Sequence, residues 1–406
     1  MIKFIKAKQI LNSRKEPTIE VKLQTENGVF SASVPSGASV GEHEALSLKA
    51  EKAAKNISRI IAPVLKGRRF DNQKEFDKFL IDLDGTENKS KLGVNAILPL
   101  SIAFCRYLAN KAGLELFKHI NKSFRIKKPK KFPRPCFNIL EGGVHADNDL
   151  DIQEFMIVPS KDSFEENLKI GREVCRKLEE ILKNKLGNCP KGDEGGFSPP
   201  LKRNIKALKL VFKAVKEAGY GKEVELGLDC AASEFFEEGK YNFEGRSITG
   251  RELIKKYKRM IKKIPVIFLE DPFDQNDWPS WEKLKSTLKK RKNKRIKKMI
   301  LVGDDLLTTN PKRIRKIAEK NICNAMILKP NQIGTVSEAI KAGLLAKRRK
   351  WKIIVSHRSG ETEDDFIADL AVGLGADFIK SGAPSPRERM AKYNRLLNIE
   401  KKLWNL

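Results

Sequence analysis

Residues 3–11, 17–25 and 28–34 alternate apolar and polar side chains, with turn-forming residues between the runs. A period of two turns one face of each run toward a core and the other toward water, so the three segments predict an antiparallel meander. From 46 to about 120 the apolar spacing lengthens to that of helices, as at Ala53, Ile57, Ile60 and Ile61 and again between 96 and 108. The stretch 125–135 then sets basic residues among three prolines. Proline lacks the N–H that helix and sheet ladders need, so this stretch reads as a linker. The pattern therefore divides the chain into a smaller α+β domain over 1–124, a linker over 125–135 and a second domain over 136–406.

In the second domain short apolar runs, at 155–158, 225–228, 266–269, 299–302, 324–328, 353–355 and 377–379, are separated by helical stretches. That alternation predicts parallel βα units. Most runs end on a charged or hydrogen-bonding residue, namely Asp229, Glu270, Asp304, Lys329, His357 and Lys380. A doubly wound sheet also alternates β and α, but its ligands gather at one switch point. Polar residues closing strand after strand fit a TIM-type barrel, which keeps its chemistry at the carboxyl ends of its strands. The expected fold is α/β, a TIM-type barrel preceded by a smaller α+β cap.

In a barrel the ends carrying Asp229, Glu270 and Asp304 converge. Crowded carboxylates repel unless a cation lies among them, and Mg²⁺ with oxygen ligands suits a site that also handles phosphate. Pairing of each carboxylate with a nearby lysine is the plainer alternative. Lys329 and Lys380 are expected at neighbouring strand ends of the same mouth, where a metal ion and a second lysine would disfavour the ammonium form and leave an amine able to act as a base. The segment S-H-R-S-G at 356–360 offers a guanidinium, hydroxyls and backbone N–H groups to a phosphate. Glu194, in G-D-E-G-G at 192–196, is a carboxyl group flanked by glycines that let backbone approach a ligand. The glycine-containing segments 35–41 and 141–146 read as lids or as ordinary turns.

Hydrophobic residues make up 40% of 406, enough for one large core and a smaller one. No run of apolar residues is long enough for a membrane span. Residues 1–10 mix lysine with apolar side chains, unlike a signal peptide. The six cysteines are scattered, without a C-x-x-C pair, and read as reduced thiols. A soluble cytoplasmic protein is expected. The net charge of +29 favours anionic partners, whether a phosphorylated metabolite, nucleic acid or an acidic surface, and composition cannot choose among them. The strongly basic run 289–298 carries no aromatic residue to stack on bases, so it reads as a solvated face and nucleic-acid binding is not expected.

A set of motifs in chain order goes further. They are S-G-A-S at Ser36, L-D-G-T at Leu83, N-K-S-K-L-G at Asn88, D-L-D-I-Q-E-F-M at Asp149, G-D-E-G-G at Gly192 and L-D-C-A-A-S-E-F-F at Leu228. They continue with L-E-D-P-F at Leu269, G-D-D-L at Gly303, L-K-P-N-Q-I-G-T at Leu328, S-H-R-S-G-E-T-E-D at Ser356 and K-S-G-A-P at Lys380. Together they resemble the enolase family from residue 3 to about 403, and N-D-L-D and F-S-P-P-L-K lean toward its archaeal type. The resemblance implies a barrel whose first units depart from regular βα order. It implies a hydro-lyase of glycolysis and gluconeogenesis that interconverts 2-phosphoglycerate with phosphoenolpyruvate and water, using two Mg²⁺. Asp229, Glu270 and Asp304 match the ligands of the main magnesium, and Ser39 a ligand of a second that arrives with substrate. Lys329 matches the base and Glu194 the acid, with Glu154 supporting it. Lys380 matches a group stabilising charge on the substrate carboxylate, Arg358 and Ser359 the phosphate contacts, and Gln153, His145 and His357 pocket-lining positions. Sugar-acid dehydratases, the nearest alternative, do not usually combine the S-H-R-S and G-D-E-G-G segments.

The departures from the pattern include Asn12, Val40, Glu141 and Asn398. The arginine that Asn398 replaces pairs across the dimer with the carboxylate matching Glu20, and the common C-terminal extension is missing. A homodimer is therefore expected, weakened relative to its relatives.

Overall fold

In the computed structural model, which describes residues 1–38, 41–127 and 131–404, the period-two segments become β1 (Ile2–Leu11), β2 (Pro17–Thr25) and β3 (Gly28–Ser33), an antiparallel meander. Ile19, Val21 and Leu23 on β2 are fully buried. They face helix Val94–Lys111, which lies across β2 and β3 and packs on helix Gln73–Asp84 through stacked Phe76 and Phe104, 4.0 Å between ring centres. The cap is fastened to the barrel by buried polar groups. Asp77 accepts from Ser101 Oγ at 2.5 Å and from the Ser337 N–H at 2.8 Å, which satisfies a donor at the start of helix Val336–Arg348.

The second domain is a closed barrel of eight strands: β4 (Arg134–Glu141), β5 (Glu154–Pro159), β6 (Val224–Asp229), β10 (Val266–Glu270), β11 (Ile300–Gly303), β12 (Ala325–Leu328), β13 (Lys352–Ser356) and β14 (Phe378–Lys380). A small side sheet, β7 (Phe236–Glu237), β8 (Lys240–Phe243) and β9 (Arg246–Ile248), follows β6. One feature departs from the sequence reading, and a second departs from the plain βα pattern in the way the family resemblance implies for the first units of the barrel. β4 was not expected, and it begins at Arg134, inside the stretch read as linker. β5 runs antiparallel to both β4 and β6, whereas all other neighbours in the barrel are parallel.

Val158, Phe268, Ile327, Ile354 and Phe378 fill the barrel interior. Gly227 makes room for this plug, since a Cβ there would lie 2.1 Å from the Phe268 ring. The apolar floor leaves polar residues to gather at the mouth. Among the described residues no helix is long and apolar enough to cross a membrane, and all six cysteines are free thiols.

Candidate active site

Strand register assembles the first part of the site. Glu154 on β5 lies opposite Asp229 on β6, and Asp229 lies opposite Glu270 on β10. Lys380, the last residue of β14, reaches across to all three. Its Nζ stands 2.8 Å from Glu270 Oε1, 3.1 Å from Glu154 Oε2 and 3.3 Å from Asp229 Oδ2. All four side chains are buried. Burial alone would depress the Lys380 ammonium, but Glu154, Glu270 and Asp229 together raise its pKa well above the ordinary value. Burial and neighbouring carboxylates push Glu154 and Glu270 well up, so these two tend to hold protons.

Asp304, just past β11, is paired with Lys329, just past β12, and also accepts from Gln332 Nε2 at 2.9 Å. Burial opposes ionisation of Asp304, yet Lys329 and Lys380 hold its carboxyl below the usual value. The expectation of disfavoured ammonium groups applies to lysines beside a metal ion; with carboxylates alone around them the ammonium forms are favoured. Burial lowers the Lys329 pKa and Arg358 and Lys380 push the same way, but Asp304 outweighs them and the net shift is upward. The two lysines are also not at neighbouring strand ends, since β13 lies between β12 and β14. Asp271, which the sequence reading left unassigned, accepts the backbone N–H groups of Asp304 (3.0 Å) and Asp305 (2.7 Å). It holds the turn beyond β11 in place.

Lysine ammonium groups thus balance the carboxylates expected to bind metal, with Asp229 and Glu270 around Lys380 and Asp304 on Lys329. Among the described residues, the tightest groupings of ligand-type atoms are Asp271–Asp304–Asp305 and His145–Glu154–Glu194, each within 4.8 Å. The residues nevertheless fit a hard divalent cation. Glu154, Asp229, Glu270 and Asp304 outnumber the two lysines, and Glu270 Oε2 is buried without a hydrogen-bond partner. A carboxyl oxygen left without a partner in a pocket rich in carboxyls is a site for an oxygen-seeking ion, whose charge would displace the protons there.

Across the mouth stands Glu194. Its loop is shaped by Glu141 at the end of β4, whose carboxyl accepts the N–H groups of Glu194 (3.2 Å) and Gly196 (2.5 Å). A Cβ at Gly192 would lie 2.4 Å from Glu141 Oε2, so that glycine is there for close packing. Glu141 is fully buried in a strand, which rules out a lid role for that end of 141–146. The Glu194 carboxyl meets Asn138 Nδ2 at 3.1 Å, His357 Nε2 at 3.2 Å and His145 Nδ1 at 3.8 Å. His145 Nδ1 is also 3.8 Å from Glu154 Oε1, so it sits between the two carboxyl groups.

Arg389 was missed by the sequence reading. Its buried guanidinium lies 2.6 Å from His357 Nδ1 and donates to the carbonyls of Arg358 (2.6 Å), Ser359 (2.5 Å) and Asp193 (2.9 Å). Arginine can only donate, so Nδ1 of His357 is the acceptor and the ring proton sits on Nε2, facing Glu194. Burial brings the His357 pKa down to about 4 and lowers that of His145. Burial favours a proton on Glu194, but the facing His357 and His145 prevail and its pKa is pushed well below the ordinary value. Burial and repulsion from Glu194 push Glu141 and Glu154 well above the ordinary value, so the protons of this corner favour those two carboxyls.

The S-H-R-S-G segment meets the first glycine-containing segment directly. Ser36 bridges to Gly360, the Ala38 N–H donates to Ser359 Oγ at 2.6 Å, and Asn12 Nδ2 donates to Ser36 Oγ at 2.7 Å. Ser39 and Val40 lie outside the described residues. The Arg358 fork, expected to face phosphate, is engaged by Glu44 at 2.8 and 3.2 Å and by Asn331 Oδ1 at 3.1 Å. His145, Gln153, Glu154, Glu194, Asp229, Asp304, Lys329, His357, Arg358, Ser359 and Lys380 all line one cleft, with Glu270 beneath it. This site combines amines, carboxyls in both protonation states and a guanidinium. These are the kinds of groups that proton transfer at an anionic substrate requires.

Two family models match the chain. The model described as enolase, N-terminal domain, covers residues 2–120, and that described as enolase, C-terminal TIM barrel domain, covers 129–405.

Proposed function

The chain belongs to the enolase family over both its domains, and we propose that it is a cytoplasmic, archaeal-type phosphopyruvate hydratase. It would convert 2-phosphoglycerate reversibly to phosphoenolpyruvate and water. The observation that carries this reading is that Lys329 and Glu194 line one cleft together with Arg358, Ser359 and Lys380. Lys329 takes the proton from C2. The electrons left behind shift into the adjoining carboxylate, where Lys380 meets the growing charge. Collapse of that intermediate forms the C2–C3 double bond and breaks the C3–O bond. Glu194 delivers the proton that lets the hydroxyl leave as water.

Three requirements follow from the free protein. Lys329 must lose the counter-charge of Asp304 before its amine can act as a base. Magnesium held by Asp229, Glu270 and Asp304, with a second ion using Ser39, supplies positive charge for the substrate carboxylate when bound. Glu194 must acquire a proton, and Glu154, which favours its protonated form, stands beside the same imidazole, His145 Nδ1 being 3.8 Å from each carboxyl. Arg358 must exchange Glu44 for the substrate phosphate, with Ser359 beside it. The direct test follows phosphoenolpyruvate absorbance after 2-phosphoglycerate is added. Product should form with Mg²⁺ and cease with EDTA; turnover that EDTA leaves intact would overturn the metal-assisted reading.

The same family reading makes the protein a homodimer, weakened at Asn398. Glu20 Oε1 is buried without a hydrogen-bond partner, and its neighbour Lys8 stands 3.2 Å away. Sedimentation across a dilution series should show dissociation that is stronger at low salt, because like-charged subunits repel. Persistence of the dimer at low nanomolar concentration would remove the weakening.

A further inference from the structure

We infer that the outer wall of the barrel carries a groove that binds the phosphate backbone of nucleic acid without sequence preference. One side is helix Gly250–Lys263, started by a reciprocal cap between Thr249 and Glu252. Leu253, Ile254, Tyr257, Met260 and Ile261 bury one face of it. On the other face Lys255, Lys258, Arg259 and Lys262 recur at intervals of three and four, which aligns them as a ridge. At 1.5 Å per residue that ridge is about 10 Å long. The opposite side is the turn after helix Trp278–Lys289, which contributes Lys290, Arg291 and Lys292.

These residues enclose a concavity of about 770 Å³ that no acidic and no aromatic residue lines. None of the seven cationic side chains makes an ion pair within the described residues. Gathering uncompensated like charges in one hollow is unfavourable unless an outside anion answers them. High overall charge does not account for this, because other surface hollows mix signs. Arg176 and Lys183 share one with Glu179 and Glu180, and Arg106 and Arg387 share another with four or more carboxylates. The fold also changes the weight of the basic run 289–298, which the sequence presents as a solvated face. Arg295 turns inward and donates to the carbonyls of Ile261 (2.9 Å) and Ile264, tying the run to the C-terminal end of the helix. That tie holds Lys290–Lys292 opposite the ridge.

The shape selects the partner. A membrane surface is flat and would leave the floor of a hollow untouched, and the apolar floor residues Ile261 and Ile296 are buried rather than available for insertion. A nucleic acid is a convex rod with phosphates spaced about 3.4 Å apart along each strand, so a ridge of about 10 Å meets roughly three of them. Without aromatic residues or base-reading pockets the contacts are to backbone alone.

The test uses the intact protein, fluorescence anisotropy and labelled single-stranded RNA and duplex DNA over a salt titration. It compares wild type with Lys255→Ala/Lys258→Ala/Arg259→Ala/Lys262→Ala and with Lys22→Ala/Lys52→Ala/Lys66→Ala/Lys111→Ala. The second set removes the same charge from exposed positions on the cap. The groove variant should bind at least about tenfold more weakly at low salt, with a log–log salt slope shallower by about 3, while the cap variant stays within about threefold of wild type. Lyase activity and circular dichroism should be unchanged in both. Equal losses in the two variants, no binding by wild type, or tighter capture of polyglutamate or of phosphatidylserine vesicles would each overturn the inference.

Discussion

Replacing Lys329 by alanine is expected to lower kcat at least a hundredfold while circular dichroism changes little and the thermal midpoint falls, because Asp304 loses its buried counter-charge. A positioned general base contributes about 10²–10⁴ in rate, and no other amine stands where Lys329 does. Lys380 is the other lysine of the cleft, but Glu154, Asp229 and Glu270 encircle it and its ammonium is strongly favoured. It cannot substitute as a base. Loss of Lys329 leaves Asp304 with its hydrogen bond from Gln332, so the mouth should keep its shape. Steady-state kinetics on 2-phosphoglycerate decides the matter, and near-wild-type turnover would remove Lys329 from the chemistry.

Lys380→Met should harm both activity and stability, and its loss of stability should exceed that of Lys329→Ala, because Lys380 serves three carboxyls where Lys329 serves one. The substitution keeps a similar length but takes the shared counter-charge from three buried carboxyls. Removing one partner from a buried ion pair typically costs about 3–5 kcal/mol. Glu154 and Glu270 already tend to hold protons, which places the expected loss near the lower end of that range. Mg²⁺ held at the proposed site of the folded chain should restore part of the stability by mass action. Urea denaturation in EDTA and in Mg²⁺ provides the comparison. A midpoint in EDTA unchanged from wild type would show that Lys380 is not the balancing charge of the mouth, and a midpoint that Mg²⁺ fails to raise would count against a metal site there.

The features legible in the sequence were those that depend on local pattern. The alternation along β2 and the polar residues closing β6, β10 and β13 are properties of a few adjacent positions. β4 escaped because Arg134 and Pro135 open it and because Asn138 and Glu141 interrupt its apolar run. Those two polar residues are buried because they shape and bind the Glu194 loop. The reversed direction of β5 leaves no trace in its residues, since a strand buried on both faces reads as apolar whichever way it runs. Long-range pairing was the other blind spot. Nothing near Arg358 indicates Glu44, 314 positions away, and nothing near His357 indicates Arg389. The lysines were identified as residues of the mouth, but their protonation depends on which carboxylates the barrel folds against them.

The division of labour between Lys329 and Glu194 is tested most directly by following exchange of the C2 proton of 2-phosphoglycerate with deuterated solvent by NMR, in the presence of Mg²⁺. Glu194→Gln should fail to form phosphoenolpyruvate yet still exchange the C2 proton, because the base remains. Lys329→Ala should do neither. Exchange that persists in Lys329→Ala, or that disappears in Glu194→Gln while substrate still binds, would contradict the assignment of base and acid to these two residues.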